Sequence, residues 1–296
     1  MSAGSGLSVG AVVLTMGNRP DELRALLDSV ARQQGDPVQV VVVGNGSPLP
    51  TLPADVRTVE LTENVGIPAG RNIGIEAFGP DGRDVDILLF LDDDGLLPGE
   101  DTAELCRAAF AADPALGIIS FRIADPDTGE TQRRHVPRLR ASDPMRSSRV
   151  TTFLGGANAV RTRVFAQVGG LPDEFFYAHE ETDLAWRALN AGWMIDYRSD
   201  LVLFHPTTAP SRHAVYHRMV ARNRVWLARR NLPFPLVPIY LSVWLLLTLA
   251  RKPSRPALRA WFGGFKEGWT TPCGPRRPMK WRTVWRLTRL GRPPVI

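Results

Sequence analysis

The amino-acid sequence predicts an α/β protein built on an open, mostly parallel sheet with helices on its faces. In the first half of the chain, short apolar segments rich in β-branched residues alternate with segments whose apolar residues recur at helical spacing. The helical segments are about 10–15 residues long, as expected for crossovers between parallel strands. The most apolar strand ends in three consecutive aspartates, at the sheet edge where such folds bind ligands.

Each element follows from its local pattern. Apolar runs predict strands at residues 8–15, 38–43, 56–61, 86–91, 117–123, 193–197 and 201–204. Helical spacing predicts helices at residues 68–78, 101–112, 161–168, 180–191 and 214–230. Pro20, followed by two acids, opens a further helix. Residues 153–160 begin a second half, and the polar segment 125–149 is expected to be a surface loop.

Composition excludes several classes of protein. With 296 residues, 44% hydrophobic and 22% charged, the chain is neither disordered nor fibrous. Two cysteines are too few for a disulfide framework or a Cys-based zinc site, and the apolar run 9–16 lacks the basic segment that precedes a secretory signal core. The net charge of +6 hides a division: residues 201–296 hold 18 basic residues and one acid, whereas residues 1–200 hold 18 basic and 29 acidic residues. This predicts an acidic body with an appendage that binds anionic surfaces.

Three carboxylates, Asp92, Asp93 and Asp94, follow the apolar segment 86–91. Side chains two residues apart in an extended strand lie on the same side, so Asp92 and Asp94 are predicted to point the same way. Such a pair can hold a divalent cation while a diphosphate supplies further ligands. A solvated acidic turn is the alternative, and the position at the ligand-binding edge favours the cation site.

A second acidic group, Glu180, Glu181 and Asp183, follows the aromatic residues 175–177. Beside a partly dry pocket, the pKa of a carboxyl group rises towards the range of a general base. The alternative is an acidic helix N-terminus favoured by the helix dipole, with Asp183 and Arg187 as a surface ion pair.

Two weaker patterns add candidates. His205 follows the strand 201–204; a lone histidine there is usually structural, but its imidazole can complete a metal site with Asp92 and Asp94. Residues 64–74 combine glycines with Arg71 and Asn72 near a helix start, which suits binding of phosphate or ribose oxygens. Their spacing fits neither a P-loop nor the dinucleotide fingerprint.

Taken in order, these motifs resemble those of family-2 inverting glycosyltransferases of the GT-A fold, and within that family the bacterial rhamnosyl- and galactofuranosyl-transferases. The resemblance covers roughly residues 9–230 and implies a Rossmann-like, mostly parallel sheet flanked by helices. It rests on Thr15 with Arg19-Pro20, Asn45-Gly46-Ser47, Asn64-Val65-Gly66, Gly70-Arg71-Asn72, Asp92–Asp94, Gly155-Gly156-Ala157-Asn158, Phe176 with the acids up to Arg187, His205 and Arg222-Asn223-Arg224.

The resemblance implies roles for these residues. The donor nucleotide sugar would be bound by Thr15, Arg19, Asn45, Arg71, Asp92 and Asp93. A divalent metal, Mn²⁺ or Mg²⁺, would be bound by Asp92, Asp94 and His205. Glu181 would be the catalytic base, beside Glu180 and with Asp183 supporting substrate hydroxyls. The acceptor would be bordered by Gly155, Gly156, Asn158 and Trp186.

Two positions depart from the family's pattern. Glu181 stands where Asp is commoner, and its side chain is one methylene longer. Gly44 stands where the family usually has an Asp that reads the pyrimidine base. Recognition of the base must then come from the backbone or from Asn45, and the expected donor is a UDP- or dTDP-linked sugar.

The implied reaction is a single displacement. Glu181 would deprotonate an acceptor hydroxyl, which attacks the anomeric carbon from the opposite face and inverts its configuration. The expected acceptor is a lipid-linked or cell-envelope glycan, for example one carried on a polyprenyl group. The alternatives are a sugar-nucleotidyl transferase and a non-catalytic, membrane-bound scaffold with a degenerate domain.

The basic C-terminal region contains a 17-residue uncharged stretch, residues 234–250, and five tryptophans lie within or after that stretch. That stretch is open to three interpretations: a short transmembrane helix, an interfacial helix or a core helix. Trp and Arg beside an apolar segment favour an anionic membrane surface as the partner, at the cytoplasmic face of the plasma membrane, peripheral or monotopic. No nucleic-acid-binding pattern is present. We expect a catalytic domain over residues 1–210, with a donor half (1–100) and an acceptor half (101–210), and a membrane-associating region over 211–296.

Overall fold

The computed structural model describes residues 6–139, 143–206 and 214–296. Within this part of the chain one sheet of eight strands has the order β3-β2-β1-β4-β7-β5-β8-β6. Its strands are β1 (Val9–Thr15), β2 (Gln39–Asn45), β3 (Arg57–Leu61), β4 (Ile87–Asp92), β5 (Leu116–Ala124), β6 (Ser148–Arg149), β7 (Ala157–Arg161) and β8 (Met194–Phe204). Strands β3, β2, β1 and β4 pair in parallel, as do β5 and β8, whereas β7 is antiparallel to β4 and β5, and β6 to β8.

Helices cover both faces of the sheet. They are α1 (Pro20–Ala31), α2 (Ile67–Glu76), α3 (Thr102–Ala112), α4 (Thr162–Val168), α5 (Glu180–Ala191), α6 (Ala214–Asn231), α7 (Leu236–Ala250), α8 (Arg255–Thr270) and α9 (Trp281–Arg289). Alternate residues of β1 enter two separate cores: Ala11 and Val13 pack with α1 and α3, whereas Val12 packs in the core that contains α5, α6 and α7. The predicted class, an α/β sheet flanked by helices, is confirmed.

Two local predictions were wrong. The strands expected at 193–197 and 201–204 form one strand, β8, whose register with β5 shifts between Arg198 and Val202. The expected loop at 125–149 contains the short strand β6 and a 3₁₀ turn, Arg133–His135. Pairing with β8 supplies the hydrogen bonds that make β6 a strand, and a segment of two residues is too short for periodicity to predict it.

The topology brings polar residues to one edge. Thr15, Asn45 and Asp92 are the last residues of β1, β2 and β4, and His205 directly follows β8. Because β7 is antiparallel to β4, it begins at this same edge, and the Asp92 N–H donates to the carbonyl of Gly156 at 3.1 Å. The edge is therefore where the candidate residues of both halves meet.

The C-terminal helices share a core with the α/β body. Trp186 on α5, Trp226 on α6, Tyr240 on α7 and Leu287 on α9 belong to one buried cluster. The predicted boundary at 210/211 lies outside the described residues. In the described ranges, no helix combines the length and apolarity needed to cross a membrane.

Candidate active site

A cavity of about 520 Å³, which we call the edge cavity, opens at the carboxyl ends of the strands. Its lining includes every predicted donor and metal residue: Thr15, Arg19, Asn45, Arg71, Asp92, Asp93, Asp94 and His205. These residues belong to separate sequence motifs, and the fold brings them together. Their functional roles remain predictions.

Each of the three aspartates has a partner of its own, and Arg19 also pairs with two of them, Asp93 at 3.3 Å and Asp94 at 2.5 Å. Asp92 pairs with Arg71, with 3.2 Å between Oδ1 and Nη2. The Asp93 Oδ2 accepts from the Thr15 hydroxyl at 2.6 Å, and burial raises the pKa of Asp93. For Asp94, burial is outweighed by the hydrogen bond and charge of His205 and the charge of Arg19, which lower its pKa. Asp92 and Asp94 both line the edge cavity, although β4 ends at Asp92 and the two carboxylates pair with different residues, Arg71 and His205.

The predicted three-residue metal site is not formed. In the described ranges, no group of three or more His, Cys, Asp or Glu side chains is arranged to hold a metal ion. Asp94 and His205 do form a pair, with 3.2 Å between Oδ1 and Nε2, while Asp92 is directed to Arg71. A carboxylate and an imidazole suit Mn²⁺, and Mg²⁺ is commonly held by only one or two carboxylates plus substrate phosphates. Asp94 and His205 thus fit a divalent ion shared with a diphosphate.

Asn45 and Gly44 shape the wall of the edge cavity. The Asn45 amide donates to the Asn64 side chain at 3.1 Å and accepts from the Val65 N–H at 2.9 Å, so its side chain holds the loop before α2. A Cβ at Gly44 would lie 2.8 Å from the Ser47 carbonyl oxygen and 3.0 Å from Leu49. The space that an Asp side chain would need at position 44 is therefore filled by the 47–49 segment.

The acid pair at the start of α5 lies beside Arg71. Glu180 is buried and its Oε2 has no hydrogen-bond partner, whereas Glu181 is partly exposed. Burial and the neighbouring Glu181 carboxylate raise the pKa of Glu180 to about 8. Burial also raises the pKa of Glu181, although the charge of Arg71 opposes it. A Cβ at Gly155 would collide with Glu181 and lie 2.7 Å from Arg71 Nη1, so the Glu181 carboxyl group and the Arg71 guanidinium both lie against Gly155, while Arg71 pairs with Asp92.

Asp183 does not face the edge cavity, contrary to its predicted role with substrate hydroxyls. It is fully buried, and it accepts from Arg187 at 2.7 Å, from Arg230 at 3.0 Å and from Asn231 at 2.6 Å. These partners outweigh burial and lower its pKa. The alternative, a surface ion pair with Arg187, is correct in its partner but wrong in its exposure. Asp183 joins α5 to α6.

The side chains of Trp186 and Asn158 also contact other parts of the protein rather than the edge cavity. Trp186 is 5% exposed, makes an edge-on ring contact with Tyr240, and lines a small cavity of about 50 Å³ with Tyr240 and Trp244 rather than the edge cavity. The Asn158 amide donates to the carbonyls of Leu154 and Gly155, both at 2.7 Å, and so fixes the backbone there. The part of this motif that borders reactive groups is the glycine pair, beside Glu181 and Asp92.

The segment 175–179, which we call the acid loop, precedes the acid pair in a strained conformation. Phe176, Ala178 and His179 have φ values of 61°, 70° and 73°, a region that costs a side-chain-bearing residue about 1–2 kcal/mol. The fully buried Asn223 on α6 donates to the carbonyls of Phe175, Tyr177 and Ala178 at 2.7–2.9 Å. Sequence reasoning placed Asn223 in a motif but missed this role, because no local signal links α6 to a loop 45 residues away.

We expect Asn223→Leu to lower the free energy of unfolding by about 2–4 kcal/mol, because it leaves buried carbonyls of the acid loop without a donor. Urea unfolding measures the loss. The control is Val215→Ala, on an exposed residue of the same helix. Equal unfolding midpoints for Asn223→Leu and the unmodified protein would contradict this account.

Comparison with known proteins gives one family match and several relatives. The profile of Glycosyl transferase family 2 matches residues 11–169. Two curated relatives, each named Pre-mycofactocin glycosyltransferase, from two strains of Mycobacterium tuberculosis, are 26% identical over 234 residues. That alignment covers 74% of this chain and 44% of the relative, so the chain spans less than half the length of these proteins.

Solved structures share the fold. Mannosyltransferase PcManGT from Pyrobaculum calidifontis, in complex with GDP-Man and Mn²⁺, aligns with a TM-score of 0.55 and 20% identity over 96% of this chain and 84% of that one. S. aureus TarS 1-349, in complex with UDP-GlcNAc, aligns with a TM-score of 0.59 and 14% identity over 88% of this chain and 80% of that one. At these identities the likeness establishes the fold alone.

Proposed function

The chain belongs to glycosyl transferase family 2, and from that premise we propose that it is a metal-dependent, inverting glycosyltransferase that uses a nucleoside-diphosphate sugar. The observation that carries the proposal is the position of Arg71. It pairs with Asp92 in the edge cavity and lies close enough to Glu181, a carboxyl group whose pKa is raised, for its charge to act on that group. The proposed base, Glu181, and the residues proposed to bind the leaving diphosphate thus both lie near the Arg71 guanidinium.

The residues suggest a division of labour. Glu181 accepts the proton of the acceptor hydroxyl, since it is the more accessible of the two acids. Arg19 and Arg71 offer positive charge towards the donor diphosphate, and Asp94 with His205 would hold the divalent ion. That ion supplies charge neutralisation on the leaving group. Since no second carboxylate is required as a nucleophile, one displacement with inversion is the simplest reaction.

The donor we propose is UDP- or dTDP-linked. Neighbours of the same fold were crystallised with GDP-Man and with UDP-GlcNAc, so the fold does not select the base. At position 44 the packed glycine removes a side-chain contact to the base, which leaves Asn45 and the backbone of the cavity wall. We propose a hexosyl, deoxyhexosyl or galactofuranosyl group as the sugar and a lipid-linked or cell-envelope glycan as the acceptor.

A panel of UDP-, dTDP- and GDP-sugars, each assayed with Mn²⁺ or Mg²⁺ for release of nucleoside diphosphate, tests the proposed function. We expect turnover with at least one pyrimidine donor and a loss of about a hundredfold or more in Asp94→Ala, because its carboxylate would hold the ion. The control is Asp127→Ala, which replaces an exposed aspartate that lies well beyond Asp94 in the sequence. Failure of every donor, or full activity of Asp94→Ala, would refute the proposal.

We also propose that the protein lies on an anionic membrane surface, at the cytoplasmic face. Helix α7 buries Val237, Tyr240 and Leu241 but exposes Leu246 (65%), and α9 exposes Trp285 (63%) between arginines. Exposed Trp and Leu beside Arg side chains suit an interfacial site.

Vesicle sedimentation tests this membrane proposal. The double variant Leu246→Glu/Trp285→Glu should bind phosphatidylglycerol vesicles at least about tenfold more weakly, since each apolar side chain gives up about 1.5–3 kcal/mol of burial. Point variants are preferable to deletion, because α7 and α9 contribute to the shared core. Met145→Glu, on an exposed apolar residue of the body, is the control. Unchanged binding of the double variant would refute peripheral attachment through these helices.

A further inference from the structure

A second cavity of about 500 Å³, which we call the tail cavity, lies between α6, α7 and α8. Its lining includes Tyr216 and Arg224 of α6, Trp244 of α7, Arg251, and Ser254 with Trp261 at α8. None of the predicted site residues lines it. Two arginines, two indole rings and three hydroxyl groups make it both cationic and aromatic.

The arginines of the tail cavity have no carboxylate partner among the described residues. The ion pairs there include neither Arg224 nor Arg251, and the undescribed residues contain no Asp or Glu. The one acid of residues 201–296, Glu267, pairs instead with Arg218 at 2.7 Å and Arg222 at 3.3 Å. Burial lowers the pKa of Arg224. A desolvated cation without a counter-charge is costly, so the cavity favours an anion.

Contacts with two aromatic side chains hold the Arg224 guanidinium in a defined position. The Arg224 Cζ lies 3.3 Å from the centroid of the Trp244 ring, and its Nη1 donates to the Tyr240 hydroxyl at 3.5 Å. The Trp244 Nε1 is buried and has no acceptor. Ser254 caps α8, whose first turn borders the cavity and adds the positive end of a helix dipole. A stacked, preorientated guanidinium beside unpaired N–H donors is suited to phosphate oxygens.

The surroundings of the tail cavity on two sides indicate which phosphate compound would bind in it. Tyr216 makes a ring contact with Tyr177 of the edge cavity, with centroids 6.1 Å apart. On the other side, Thr248 lines the cavity, and the adjoining Leu249 is 43% exposed on the apolar face of α7. An anion held here lies between the candidate reaction centre and an exposed apolar surface.

We propose that the tail cavity binds the diphosphate through which a glycan acceptor is attached to its lipid carrier. The proposal deepens the proposed function and rests on it. The lipid would leave along the apolar face of α7, and the acceptor sugar would extend past Tyr216 and Tyr177 towards Glu181. The shared chemistry is a phosphate ester of a lipid, and we assign it to the acceptor rather than to a phospholipid headgroup.

Calorimetric titration of the full chain with farnesyl diphosphate tests the assignment. We expect Arg251→Ala and Arg224→Gln to weaken binding roughly tenfold or more, because each removes a charge-assisted contact. Arg259→Ala, on an exposed arginine of α8 that does not line the cavity, should bind within about twofold of the unmodified protein, as surface charges contribute little. Arg251 is exposed, so its variant is expected to fold and decides the result if Arg224→Gln unfolds.

The possible outcomes separate the hypotheses. Equal affinity of Arg251→Ala and the unmodified protein overturns the proposal, and so does displacement of farnesyl diphosphate by monomeric short-chain phosphatidylglycerol, which would assign the cavity to a headgroup. Competition by inorganic diphosphate but not by farnesol supports it. If no nucleotide sugar is turned over while Arg251→Ala still weakens binding, the glycosyltransferase proposal fails and the diphosphate site stands.

Discussion

Glu181→Gln is expected to lower the rate of sugar transfer by about 10²- to 10⁴-fold, the contribution usual for a positioned general base. The amide keeps the size and the hydrogen-bonding capacity of the carboxyl group but cannot accept the acceptor's proton. Helix α5 should be unaffected, since Glu181 is partly exposed at its first turn and forms no ion pair with the residues that the structure describes. Steady-state kinetics with the donor found by the panel measures the loss.

Glu180→Gln is the matched control for that variant. Glu180 is buried and its raised pKa keeps it protonated at neutral pH, so a neutral amide resembles the state already present. We expect its rate to stay within about tenfold of the unmodified protein. If Glu180→Gln is the more damaging of the two, the base is Glu180 and the assignment to Glu181 is wrong.

The acid pair Glu180 and Glu181 also predicts how the activity depends on pH. A general base acts in its ionised form, and burial raises the pKa of Glu181 above the ordinary value of 4.5. Activity should therefore fall as the pH decreases through a point above 4.5, and the acid limb should be missing from the residual activity of Glu181→Gln. A profile of kcat/KM against pH, measured for both proteins, decides this. An acid limb at an ordinary carboxyl value would show that the base is more hydrated than the structure indicates.

Gly156→Ala is expected to abolish most activity while leaving the fold intact. A Cβ at position 156 would occupy the space of the Asp92 carboxyl group, which must then rotate away from Arg71. Asp92 would leave the edge cavity, and misplacement of such a group by about 1 Å can cost 10²-fold in rate. We expect a loss of at least about a hundredfold with little change in the thermal unfolding midpoint.

Gly263→Ala is the control for this substitution. It lies within α8, and a Cβ there would meet no atom within 4 Å. Replacement of a helical glycine by alanine stabilises by about 0.5–1 kcal/mol, so this variant should be fully active. Normal activity of Gly156→Ala would mean that the orientation of Asp92 is unimportant for the reaction.

The sequence was most informative where chain topology alone determines position. Thr15, Asn45 and Asp92 end parallel strands, and the carboxyl ends of such strands meet at one edge whatever the side-chain packing. His205 follows from the same rule, because β8 is parallel to β5. Local apolar spacing was also enough to place α5 at residues 180–191, as the structure has it.

Sequence reasoning failed where distant partners decide a side chain's surroundings. Asp183 looks like a third site acid, but Arg230 and Asn231, which bury it, are 47 and 48 residues further along the chain. Trp186 is covered by Tyr240, and neither contact leaves a periodic signal.

Helix α6 contacts both the acid loop and the tail cavity, so a ligand in that cavity would affect the alignment of the proposed base. Asn223 holds the acid loop in its strained conformation, and the next residue, Arg224, enters the tail cavity. A ligand that displaces Arg224 by a fraction of a turn would also displace the donor on which the acid loop depends. Binding energy at that cavity and the alignment of Glu181 are then coupled quantities, and the coupling free energy acts equally in both directions.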